Sequence, residues 1–280
     1  EGSAGHHFEG RATKGRTLDV EFVVSVALHS LYLSFWKSFV DIFSLELIAP
    51  SGQSSGPFNP TVSFASMRLD DAELDIFYGG PSFYDENQEI FIQIRRQPQP
   101  IPQGIWRLRV TGREVTRGEF HVWLPTTEEV GTGTAFTTPD TGLTITLPAT
   151  AESVISVGGY DELIGSAASF SGRGYTFNNV YIKPDLVAPA VAIRTSRTGG
   201  GYDTFTGTSM AAPFVTGAAA LMMEWGIVKG NDSFLYGQRV KAYLQRGTDK
   251  IPGQAYPDAT WGYGSLCLSE TMKALTKYKE

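Results

Sequence analysis

Phe205–Leu221 reads FTGTSMAAPFVTGAAAL, a serine between a threonine and a methionine that leads into a run of alanine and glycine. Upstream, Gly199, Gly200 and Gly201 predict a tight hairpin, because glycine takes positive φ at no steric cost. Gly207 lets backbone and ligand approach closely. From Ser209 the pattern predicts a helix to Trp225, with Pro213 in its first turn, where a missing N–H has no intrahelical partner to lose. The small residues Ala211, Ala212, Gly217, Ala218, Ala219 and Ala220 predict a helix buried deep in a layered core. Helix N-termini present free N–H groups and partial positive charge. A hydroxyl at that tip can act as a nucleophile, with the Ser209 N–H stabilising the oxyanion that forms. Serine is also a favoured N-cap, and helix position alone leaves both roles open.

The totals bound the class. The 280 residues suffice for one large domain or two ordinary ones, and 41% apolar with 19% charged residues describes a globular chain with a core. A net charge of −6 with no dense Lys/Arg cluster argues against nucleic acid and anionic membranes as partners. The single cysteine, Cys267, excludes an intrachain disulfide and a cysteine-based metal site, and no cofactor or metal is expected. The most apolar region, Val20–Ile48, is broken by Glu21, His29, Lys37, Asp41 and Glu46. A membrane span needs about 20 nearly unbroken apolar residues, so none is expected. EGSAGHHFEG has neither the basic start nor the apolar stretch of a signal peptide.

Two textures divide the chain. From Thr17 to about Leu124, segments such as LDVEF, AELDIFY, EIFIQIRR and IWRLRVTG alternate with period two between Gly/Pro-rich turns, which predicts an all-β sandwich or jelly roll. From about Gly131, a short buried strand (SVISVGGYD), a proline-punctuated strand (IKPDLVAPAVAI) and helices at 209–225, 235–245 and 269–277 predict an α/β layered domain. The boundary falls within Leu124–Phe136.

GTSMAAPFVTGAAAL resembles the signature around the catalytic serine of the subtilisin-like serine proteases, the subtilases. ESVISVGGYD (152–161), AASFSGRG (167–174), KPDLVAPAVAI (183–193) and GYGSLCL (262–268) are similar to further family segments in the same order. Ala190 stands where the family usually has glycine, and Phe214 where most members have a structural histidine. The resemblance implies the C-terminal half of a subtilase fold, a parallel sheet with helices, interrupted by an all-β jelly-roll or sandwich insertion. It implies three parts: 1–9 as the end of an oxyanion and specificity loop, 10–130 as the insertion, and 131–280 as the part with the catalytic serine. A jelly roll at this position, with GHHFEG before it and TGLTITLPATAESVISVGGYD after it, resembles the clostridial spore-germination subtilases, which process a cortex-lytic proenzyme.

A serine nucleophile needs an adjacent base that is itself oriented by a third group. None of His6, His7, His29 and His121 stands in the HGT context of the family's catalytic histidine. His29 and His121 are expected on sandwich strands, and His6 and His7 as a chance surface pair. Asp140, in PDTG, is read as a turn residue and Asp185 as structural. EGSAG resembles the residues after the family's A-A-G-N, whose asparagine supplies half of the oxyanion hole. By that resemblance Glu1 lines the specificity pocket with Phe205 and Thr206, Ser209 is catalytic, and the aspartate, histidine and asparagine belong to polypeptide upstream. The expected partners are a protein or peptide substrate, the missing N-terminal half of the domain and a pro-domain. The expected setting is bacterial, extracellular or spore-associated, and the chain alone is expected to be inactive.

Two other functions stay open on the residues. The parent could be a pseudoprotease that keeps Ser209 while lacking its base, a binding or signalling scaffold. The β-rich part could instead be a glycan- or protein-binding module, with Trp36, Trp106 and Trp123 as candidate contacts, although each lies in an apolar alternation that favours the core.

Overall fold

The computed structural model describes residues 2–58, 63–83, 85–175 and 181–277. The chain forms two compact units, Ala4–Asp140, and Glu1–Ser3 with Thr141–Glu280.

The first unit holds β1 (His7–Arg11), β2 (Thr17–Val24), β3 (Ser30–Ser38), β4 (Ile42–Ile48), β5 (Phe64–Leu69), β6 (Ala72–Tyr78), β7 (Asn87–Arg95), β8 (Gly104–Glu114), β9 (Glu119–Trp123), a single helical turn α1 (Thr127–Val130) and β10 (Ala135–Phe136). They build two antiparallel sheets, β1-β9-β3-β7-β6-β5 and β10-β2-β8-β4. Period-two alternation turns Leu31, Leu33 and Phe35 of β3, Ile90, Ile92 and Ile94 of β7, and Val20, Phe22 and Val24 of β2 into one shared core. Each such side chain contributes about 1.5–3 kcal/mol on burial. Trp106 lies in this core with its indole N–H donated to the Pro102 carbonyl at 2.9 Å. Asp41, itself buried, ties the start of β4 to the β8–β9 turn by accepting the N–H groups of Thr116, Arg117 and Gly118.

The histidines correct the sequence reading. His6 and His7 are not a surface pair; both are buried, His6 Nε2 at 2.9 Å from the Thr134 carbonyl and His7 at the start of β1. His121 is buried on β9, whereas His29 sits in the bend before β3 rather than on a strand. The tryptophans divide as well: Trp106 is core, while Trp36 and Trp123 are half-buried on the opposite face of the six-stranded sheet.

The second unit holds β11 (Val157–Asp161), β12 (Ser166–Ala167), β13 (Leu186–Pro189), β14 (Ile193–Ser196), β15 (Tyr202–Phe205), α2 (Thr208–Met223), α3 (Gln238–Arg246) and α4 (Leu268–Thr276). β11 pairs in parallel with β13 and antiparallel with β12, and β14 with β15 form the glycine hairpin. Gly199, Gly200 and Gly201 all take positive φ in its loop. Ala211, Val215, Ala218 and Met222, spaced along one face of α2, pack on Leu186, Ala188 and Ala190. The opposite face does not meet the expectation of a deeply buried helix: Ala212, Phe214, Gly217 and Leu221 are exposed. Thr208–Val228, α2 with the π turn that continues it, is long and apolar enough by composition to cross a membrane, and 28% of its most apolar 18-residue window is buried. Pro213 falls in the second helical turn, not the first, so the Ser209 carbonyl has no i→i+4 donor.

Candidate active site

Ser209 is the second residue of α2 and is exposed. Its position is fixed from the sheet outward. Ala190, just beyond β13, donates its N–H to the Tyr160 carbonyl at 2.9 Å and accepts the Gly207 N–H, also at 2.9 Å. The strand end thus holds the helix N-cap directly. Gly207 has φ 153°, a conformation that side-chain-bearing residues rarely take. Its carbonyl accepts the Met210 N–H at 2.9 Å, closing the first turn around Ser209. No side chain caps this helix end. The N–H groups of a first turn have no intrahelical acceptor, so the tip joins an accessible hydroxyl to the positive end of a helix dipole.

The flanking loop is equally fixed. Thr206 is exposed and its Oγ1 accepts the Ala192 N–H at 3.0 Å, while Phe205, 41% exposed, pairs with Ile193 across the hairpin. Both stand within four residues of Ser209. Glu1 lies outside the described residues. Gly2 belongs to the same unit as Ser209 and donates to the Phe170 carbonyl at 3.2 Å.

At the other end of β13, next to Leu186, lies a buried charged hub. Asp185 accepts the Ser156 N–H at 2.7 Å, Lys183 Nζ at 2.9 Å, Lys241 Nζ at 2.9 Å and Gln245 Nε2 at 2.8 Å. Burial pushes the Lys183 ammonium below its usual pKa, Asp185 opposes that shift, and the neighbouring Lys241 adds to it. This is the structural role expected of Asp185. Its partner Gln245 lies 60 residues away in sequence, so no local pattern announces it. Ser171, fully buried, accepts the Gly159 N–H at 3.0 Å and so braces β11.

The unit that carries Ser209 contains no histidine; His6, His7, His29 and His121 all fall within Ala4–Asp140. Among the described residues, no group of three or more His, Cys, Asp or Glu side chains is arranged to hold a metal ion.

Comparison with known proteins finds likenesses to proteases. Residues 130–264 match the model of the Subtilase family of peptidases. It is similar to the serine protease AprX of Bacillus subtilis (strain 168), 36% identical over 127 residues, covering 38% of this chain and 27% of AprX. Subtilisin NAT of Bacillus subtilis subsp. natto is 39% identical over 81 residues, 29% of this chain and 19% of that protein. Among solved structures, the Clostridium perfringens CspB protease matches all of this chain at 38% identity and TM-score 0.92. The chain spans 58% of the length of that structure and about a quarter of AprX.

Proposed function

We propose that this chain is the serine-bearing part of a subtilisin-like serine endopeptidase in which Ser209 is the nucleophile. The observation that carries the reading is the exposed Ser209 at an uncapped helix N-terminus, inside the segment that matches the subtilase model. Ser209 Oγ attacks the scissile carbonyl, its proton passes to an imidazole, and the Ser209 N–H donates to the oxyanion. By the sequence resemblance, the imidazole, its orienting carboxylate and the second oxyanion donor come from polypeptide outside this chain. Glu1, Phe205 and Thr206 contact substrate. The exposed apolar face of α2, with Phe214 and Leu221, is covered by that remaining half of the domain. Ala4–Asp140 is a jelly-roll insertion in the protease domain, and the substrate is a cortex-lytic proenzyme of spore germination, a reading that rests on the sequence resemblance to the clostridial spore-germination subtilases.

The test is covalent labelling of the full-length protein by a fluorophosphonate probe. One adduct per molecule, at Ser209 and absent from Ser209→Ala, is expected. The present chain alone should label at least ~10³-fold more slowly, because triad members act as a unit. A folded full-length protein that does not label would leave the pseudoprotease reading in its place. Because Ser209 is exposed, Ser209→Ala should change stability by less than about 0.5 kcal/mol, so lost labelling cannot be ascribed to unfolding.

A further inference from the structure

The outer face of the six-stranded sheet breaks the polar-out alternation expected of a solvated antiparallel sheet. His7, Trp123, Ser34, Phe91, Phe77 and Phe64 are successive cross-strand partners, one row running over all six strands. At its open end Phe64 and Phe77 are 49% and 43% exposed. Their rings lie 4.9 Å apart, with Phe91 6.2 Å beyond Phe77.

Four residues along the same strands, on the same face, the partners are Arg68, Glu73, Arg95 and Ser30. They line an open cleft of about 360 Å³. Its carboxylates are engaged: Glu73 lies 3.6 Å from Arg95 and Asp71 3.8 Å from Arg96, while Arg95 also pairs with the buried Asp75 beside the cleft. Arg68 makes no ion pair or hydrogen bond among the described residues and stands exposed on β5, the terminal strand of the sheet. The rings and this guanidinium are separated by four residues, about 13 Å at the rise of a strand.

We infer that this face is a docking site for an extended acidic segment of a partner polypeptide, seating an apolar residue on Phe64–Phe77–Phe91 and a carboxylate, four residues further on, against Arg68. The spacing selects an extended chain, because a strand returns its side chains to one face about every 6.7 Å and so matches the rows of the sheet. The unpaired guanidinium selects the carboxylate, which it can grip through two parallel hydrogen bonds. The open shape of the cleft suits a chain passing across it better than an enclosed small molecule. This surface belongs to the Ala4–Asp140 unit, and its test does not depend on peptidase activity.

Random decapeptides displayed on phage are selected on the whole chain, and each enriched peptide is measured against Arg68→Ala, Arg68→Lys and Phe77→Ser. Both positions are exposed, and thermal melting checks that the variants fold. Enriched peptides should carry a large apolar residue with Asp or Glu four positions on. They should weaken about tenfold or more on Phe77→Ser and Arg68→Ala, less on Arg68→Lys, and weaken with added salt. Selection that yields no peptide, peptides without the acid, or peptides that bind Arg68→Ala equally well would overturn the proposal. So would tighter binding of a neutral oligosaccharide to the ring row, indifferent to Arg68.

Discussion

The Nε2 of His7 lies 3.1 Å from the Nδ1 of His121, and the two rings stack beside Trp123. Both histidines are buried on neighbouring strands. Outward of the pair, His7 Nδ1 faces Asp140 at 3.7 Å and His121 Nε2 faces Glu119 at 3.4 Å. Only one proton fits between the facing nitrogens, so full protonation of both rings would set N–H against N–H across this contact.

Acid should therefore loosen the β unit. Burial holds the pKa of His121 below its usual value, against the opposing pull of Glu9, Glu119 and Asp140. The unfolded chain then binds more protons than the folded one below about pH 6.5, so stability is lost as pH falls from there. Urea unfolding of this chain between pH 7 and 5 is expected to give a falling midpoint, with a shallower fall in His121→Gln. An equal slope in the variant would assign the acid sensitivity elsewhere.

Gly159 and Ala190 should behave as a coupled pair. A Cβ added at Gly159 would lie 2.5 Å from the Ala190 Cβ, and its other neighbours, Phe170 and Thr208, stand at an ordinary 3.6 Å. Gly159→Ala alone is expected to cost about 1–3 kcal/mol by overpacking. Adding Ala190→Gly removes the one close contact and should restore most of that loss, a coupling of about 1–2 kcal/mol in a double-mutant cycle. Strict additivity would mean that the strand pair relaxes by another route.

Removing Asp185 should cost more than removing Lys183. Asp185→Asn leaves the buried Lys183 and the partly buried Lys241 ammonium groups facing an uncharged amide, and should destabilise by about 3–5 kcal/mol. In Lys183→Met the carboxylate keeps Lys241, Gln245 and the Ser156 N–H, so the loss should be smaller. Chemical denaturation of the two variants reads the order directly, and the reverse order would show that Lys183 is the member the hub cannot lose.

The β texture was legible because one residue in two along each strand faces the core, as Leu31, Leu33 and Phe35 do. α2 was legible to within about a turn, its start fixed by Gly207 and the small residues that follow. The histidines misled, since adjacency in sequence says nothing of burial. His6 and His7 are buried by Thr134, His121 and Trp123, more than a hundred residues away. Pro213 misled by register, being one turn further into the helix than the sequence suggested.

By itself the sequence determined two textures, a serine at a helix start and the lack of any histidine after position 121, since these depend on residue identity and local period alone. The tertiary structure decided what long-range pairing controls. It placed the Ala190 carbonyl on the Gly207 N–H, gathered Lys241 and Gln245 around Asp185, and aligned Phe64, Phe77 and Phe91 in one row on the outer face of the sheet. Strand register and buried charge pairs join residues that lie far apart along the chain, so local spacing does not encode them.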